Sequence, residues 1–244
     1  MSVGILSQRG FTLIELVIVI IILSILATVA TRQLSTTVDT AKYEQTKNEM
    51  DALAAAIRGS EELYESGART DFGYVGDIGG LPPNLDALVQ NPGYGTWKGP
   101  YIDRGIAADD FKKDGWGANY TYQDTMIRSS GSGSNIDKLY ASSRAELLAN
   151  SVEGYLTDAD RTPPTSAHIS TIWVQLLRPN GAGGMKIDST RPTASGYFTF
   201  SSIPIGNHTL RAIYTPQTDT VTIPIAVYPK RTTRLNVVFP ADLW

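Results

Sequence analysis

RGFTLIELVIVIIILSIL, Arg9 to Leu26, is an apolar run interrupted by one carboxylate, Glu15. As a helix rising about 1.5 Å per residue, Phe11–Thr31 reaches about 31 Å. That matches the hydrocarbon core of a bilayer, about 30 Å thick. A secretory signal peptide would be shorter and followed by a small-x-small cleavage site, and "ATVA" at 27–30 competes only weakly for that part. Arg9 on the short side keeps the N-terminus cytoplasmic and sends the remainder across. A carboxylate here is costly, about 2.5–3.5 kcal/mol at the bilayer centre and less near the end, where Glu15 lies. Glu15 therefore calls for a cation. If the chain were cut after Gly10, the new α-amino group of Phe11, its own or a neighbouring subunit's, would stand four residues away. The plainer alternative is an interfacial Glu on a simple signal anchor.

The order Gly10, Phe11, Thr12, Leu13, Ile14, Glu15 at the head of a membrane-length helix resembles the processing site of type IV pilins and type II secretion pseudopilins. The resemblance implies that a prepilin peptidase removes Met1–Gly10 and that Phe11 is then N-methylated. It also implies that Glu15 guides subunit docking at an inner-membrane assembly platform. The chain departs from many relatives in having no proline two-thirds along this helix; its first is Pro82.

From Arg32 to Arg58 the apolar residues Leu34, Val38, Ala41, Met50, Leu53 and Ile57 recur at three- and four-residue spacing. This pattern predicts an amphipathic continuation packed on a globular head. Gly59-Ser60 is the expected break, with "SEELYES" adding a turn or two. A juxtamembrane coiled coil is the alternative, but heptads are not sustained. In the middle, Asn84 can cap a short helix whose apolar face is Leu85, Leu88 and Val89, ended by Pro92-Gly93. "KGPYID" and "DGWGANYTYQD" then read as a small β-meander, with Trp97 and Trp116 as aromatic plugs against the long helix.

"LPPNLDALVQNPG" followed by "DGWGANYTY" is similar to the head of the major type II secretion pseudopilin. That likeness implies a calcium-binding loop in "DTMIRSSGSGSNID", where Asp124, Ser129, Ser132 and Asp137 are the candidate ligands. Gly133 stands where the family supplies an Asp, and two carboxylates make a thin cage for a cation that takes six to eight oxygens. The alternative is a flexible Ser/Gly loop.

The acidic clusters "DIGG", "AADDFKKD" and "LTDADR" read as solvated turns. The chain has 244 residues, a formal net charge of −3, no cysteine and two histidines, His168 and His208. No basic footprint points to nucleic acid, and thiol chemistry, disulfides and Cys-ligated zinc are excluded. The sequence holds no P-loop, G-x-S-x-G or H-E-x-x-H, so the reading is not an enzyme. His208 reads as a strand or turn residue.

Residues 138–164 contain Leu139, Leu147, Leu148, Val152 and Leu156 at helix-compatible spacing and predict a helical connector, closed by Pro163-Pro164. Beyond it, "TIWVQLLRP", "GYFTFSSIP", "HTLRAIY", "TVTIPIAVY" and "TRLNVVF" are strand-like runs between turn residues. They predict an antiparallel β-sandwich, with Leu210, Ala212 and Tyr214 on one face. The stretch through Gly196, Tyr197, Phe198, Phe200, Ile203, Pro204, Gly206 and Leu210 resembles prealbumin-like and carboxypeptidase regulatory-like sandwiches. There these positions are structural, with Gly206 in a turn.

The expected class is α+β: a leader at 1–10, a long helix at 11–59 with 11–31 membrane-spanning, a meander head at 60–137, the connector, and a sandwich at 165–244. Two uses of a self-polymerising subunit stay open. One is a surface pilus whose sandwich meets a surface, a glycan or a protein partner; the other is a periplasmic pseudopilus. A membrane-anchored binding module that never polymerises is the third reading.

Overall fold

The computed structural model describes residues 11–65, 68–102 and 110–244; the expected leader Met1–Gly10 lies outside them. Contacts divide the chain into two units, Met1–Gln45 and Thr46–Trp244. One helix, α1, runs from Leu13 to Arg58. It is long and apolar enough to cross a membrane. Its hydroxyls do not break that character, because Ser24, Thr28 and Thr31 donate to the carbonyls of Ile20, Ser24 and Ala27 at 2.7–2.8 Å, which satisfies them within the helix.

The amphipathic pattern is realised only in part. Leu34, Val38 and Ala41 are exposed, and burial begins at Thr46, continuing through Met50, Leu53, Ala54, Ala56 and Ile57. The helix stops at Gly59, whose φ of +80° suits glycine and whose N–H donates to Ala55 O. A Cβ there would strike the backbone of Asp71 and Phe72. Buried Arg69 completes the end by donating to Arg58 O at 2.6 Å, a carbonyl the helix terminus leaves open, and it ties the following segment to it by donating to Asp71 O, also at 2.6 Å. The extra helical turn expected in "SEELYES" is absent from its described residues, 60–65. Tyr64–Glu65 (β1) instead pairs with Ala68–Arg69 (β2).

The head follows with α2 (Gly73–Ile78) and a one-turn 3-10 segment, Leu85–Leu88, capped by Asn84 through Ala87 N at 3.1 Å. A second 3-10 turn, Asp110–Lys112, precedes the meander β3 (Thr121–Tyr122), β4 (Met126–Ser129) and β5 (Ile136–Leu139), paired antiparallel in that order. Trp97 packs at the margin of the head core and donates to Ala87 O. Trp116 is half-buried and outside both core clusters. Tyr120 takes the place expected for it, reaching Glu49 of α1 through its hydroxyl at 2.7 Å.

The connector is helical only over α3 (Arg144–Leu148). Asn150–Thr157 is a strand, β6, in which Val152, Gly154 and Leu156 face the core and alternate with Glu153 and Tyr155. The short α4 (Thr165–His168) and a 3-10 turn lead to β7 (Ile172–Pro179), β8 (Met185–Thr190), β9 (Tyr197–Ile203), β10 (Gly206–Tyr214), β11 (Asp219–Val227) and β12 (Thr232–Val238). One sheet has the order β11-β10-β7-β8 and the other β12-β6-β9. Both contribute to one core that includes Val174, Leu176, Leu210, Ala212 and Tyr214 from the first and Val152, Leu156, Phe198 and Val237 from the second. Every pair is antiparallel except β12 with β6, which is parallel. Gly206 opens β10 rather than sitting in a turn, and its backbone lies against Gly76 of α2.

Head and sandwich share packing within the second unit. Ile205 is a member of the head core, Tyr228 meets Phe72 edge to face at 5.8 Å, and the backbone bonds Gly181 N to Ile78 O (2.8 Å) and Thr96 N to Gly183 O (3.1 Å) cross the junction.

Candidate functional site

The helix start is a reciprocal cap. Thr12 N and Thr12 Oγ1 donate to Glu15 Oε2 at 3.2 and 3.1 Å, and Glu15 N donates to Thr12 Oγ1 at 3.3 Å. This is a Thr-x-x-Glu capping box, in which the residue before the helix and the third residue within it satisfy each other's orphan donors. Glu15 therefore has partners inside the chain, and it adds a negative charge where the helix dipole is positive. The sequence carries this signal in the four letters TLIE, Thr12 to Glu15. Phe11 is exposed; Gly10, the expected cleavage residue, lies outside the described residues.

The four candidate calcium ligands are not gathered. Asp137 accepts a bidentate pair from Arg128, directly opposite on β4, at 2.6 and 2.8 Å. Asp124 accepts from Arg144 at 3.1 Å. Ser129 is buried and donates to Asp114 Oδ2 at 2.6 Å, while Ser132 donates to Ser134 O at 2.8 Å. The arrangement does not fit a calcium cage: both carboxylates already face guanidinium groups, and the two hydroxyls serve the loop itself. Among the described residues, no group of three or more His, Asp or Glu is placed to hold a metal.

What organises this loop is Asp114, the last residue of "AADDFKKD". It is 4% exposed rather than solvated. Its Oδ1 accepts from Trp116 N and Ala118 N at 3.0 and 2.9 Å, and its Oδ2 from Ser129 Oγ and Gly131 N at 2.6 and 3.0 Å. Burial alone would raise its pKa, but these four hydrogen bonds outweigh burial and hold the carboxyl below its usual value, because each donor favours the charged form. Asp158 of "LTDADR" is likewise buried rather than solvated, and accepts from Thr162 N and Oγ1 at 2.9 and 2.8 Å. His208 lies buried in β10 with Nε2 2.8 Å from Pro204 O.

The model of the prokaryotic N-terminal methylation motif matches residues 5–31. The type II secretion system core protein G of Pseudomonas aeruginosa is 32% identical over 116 residues, which span 47% of this chain and 72% of that relative. Two solved structures are distant likenesses. A candidate carbohydrate-binding protein of Pseudomonas aeruginosa is 12% identical at a TM-score of 0.26, covering 38% of this chain and 90% of its own. BcpA, the major pilin subunit of Bacillus cereus, is 12% identical at a TM-score of 0.27, covering 52% and 42%. Likenesses at that level fix neither fold nor ligand.

Proposed function

The chain belongs to the type IV pilin and pseudopilin family, and from that premise we propose that it is a structural subunit of a type IV pilus-like filament. In this reading prepilin peptidase cuts after Gly10, Phe11 becomes N-methylated, and the membrane-held subunit passes through the inner-membrane platform into a polymer of itself. The observation that carries the reading is α1: an exposed apolar helix whose start matches the methylation motif. Exposed apolar surface of this extent calls for lipid or for neighbouring helices, and head-to-tail repetition of one contact gives an open filament. On polymerisation Glu15 exchanges its capping bonds with Thr12 for the amine of a neighbouring Phe11, which sets register. The role is structural, with no chemistry of its own, and the sandwich is the outward part used for adhesion or interaction.

A periplasmic pseudopilus is the second reading, favoured by the 32% identity to the core protein G. The size of the second unit, which carries a sandwich fused to the head, favours the surface filament.

Shearing intact cells, pelleting filaments and weighing the N-terminal peptide in pellet and membrane tests both. Chains beginning at methylated Phe11 in the sheared pellet support the pilus. Processed chains held entirely in membranes support the pseudopilus. Uncut chains retaining Met1–Gly10 in both fractions would sink the filament. Replacing Glu15 by Ala is expected to abolish the pelletable polymer while membrane insertion persists.

A further inference from the structure

The outer face of the β12-β6-β9 sheet carries a group of side chains that packing of the core does not require. Strand alternation turns Glu153 and Tyr155 away from Val152, Gly154 and Leu156. Register sets Arg234 and Thr199 on either side of Glu153, and Asn236 and Tyr197 on either side of Tyr155. Arg234 Nε donates to Glu153 Oε1 at 2.7 Å and Tyr197 OH donates to Oε2 at 3.1 Å. The Tyr155 and Tyr197 rings are 5.5 Å apart with planes inclined at 58°. Tyr155 is 52% exposed, and an open cavity of about 430 Å³ lies over the group.

A cross-strand tyrosine pair by itself stabilises a sheet. Here the pair is bordered by a guanidinium, a carboxylate and an amide. The charges of Arg234 and Glu153 cancel, so the face offers no net attraction to an anion or a cation. It offers ring faces for an apolar surface and, beside them, planar donors and acceptors for hydroxyl groups. The rings lose little rotamer freedom on binding, and the Arg234–Glu153–Tyr197 chain is ordered beforehand, so the cost of ordering is low. A pyranose has this complementary form: one face of C–H groups and a rim of hydroxyls, uncharged. The cavity volume is that of a small-ligand site.

We propose that this face, with Tyr155 as platform, Tyr197 as wall and Glu153, Arg234 and Asn236 as hydrogen-bonding rim, binds a neutral carbohydrate. The inference deepens the adhesive part of the proposed function and rests on it only in placing the sandwich on the filament surface; binding itself needs no polymer.

The test is calorimetric titration of the full-length chain in detergent with cellohexaose, maltohexaose and chitohexaose. At least one is expected to bind. Tyr155→Ala should weaken it about tenfold or more, the scale of a lost ring contact plus its rim bonds. Arg234→Ala, at an exposed position, should weaken it less, Tyr155→Trp should retain it, and Thr222→Ala on the other sheet should leave it unchanged. Thermal unfolding of each variant like that of the parent shows that the change is local. No heat with any of the three sugars, or binding by Tyr155→Ala and Arg234→Ala equal to the parent, overturns the proposal. So does salt-sensitive binding of dextran sulfate or of an extended peptide in place of the neutral sugars. A chain that binds sugar but never pellets after shearing would sink the surface pilus and leave this site standing.

Discussion

At the helix start, Thr12 and Glu15 exchange three hydrogen bonds, so losing the hydroxyl or the carboxylate leaves first-turn donors without partners. Thr12→Ala is expected to weaken the start by about 0.5–2 kcal/mol, seen as faster amide exchange over the first turn in detergent, with the rest of α1 unaffected. Asp114 is the second residue on which much depends. Its carboxyl is held below the usual value in the fold, so its contribution is complete above the unfolded pKa, about 3.9, and is lost as pH falls through the lower folded value. Asp114→Asn puts an amide where two of four donors point. It should lower stability by about 1–3 kcal/mol near neutral pH. The gap to the parent in thermal unfolding should narrow below about pH 4, and a gap that stays constant with pH would contradict the assignment. Calcium chelation should leave the unfolding temperature of the parent unchanged, since Arg128 already supplies the charge opposite Asp137. Neither Asp114 nor Asp158 was legible as a buried group, because a carboxylate in a polar, turn-like run such as FKKDGWG or LTDADR has the same letters whether water or the chain's own donors satisfy it.

Among the elements, the long helix was legible almost to its ends, since a run free of Gly and Pro and closed by Gly59 has few other solutions. The inner extent of its packing was not. Leu34, Val38 and Ala41 keep the helical period yet stay exposed, while the same period from Met50 onward meets a core. Leu53→Ala should therefore destabilise the head by about 2–5 kcal/mol, measurable by thermal unfolding, whereas Leu34→Ala should leave that transition in place. The sequence of strand β6 suits a helix for a specific reason. Val152 and Leu156 are four apart, which suits either period, and Gly154 between them erases the alternation. Gly154 is there because a Cβ would strike Leu235 O and come 2.7 Å from the Phe198 ring. Gly154→Val is accordingly expected to break the pairing of β6 with β9 and β12, read as loss of protected amides in all three strands.

Across the whole molecule, fold class and the presence of a sandwich could be read from the strand-like runs, but the intimacy of head and sandwich could not. Ile205, Tyr228 and the backbone bonds at Gly181 and Gly183 are long-range partners that leave no local pattern. Thr46–Trp244 should consequently unfold in one cooperative transition. A chain ended after Ala149 should show a lower, broader transition and bind hydrophobic dye, because Phe72 and Ile78 lose their cover. The parallel pairing of β12 with β6 adds a consequence in time. Glu153 and its partner Arg234 are 81 residues apart in the chain, which at ribosomal rates of about 5–20 residues per second is a wait of roughly 4–16 seconds. Throughout that interval the central strand of the smaller sheet keeps its β12 edge bare. A nascent chain of this kind needs either a holding partner or a slow collapse, and β12, which is made after both of the other strands of its sheet, acts as the latch that closes it.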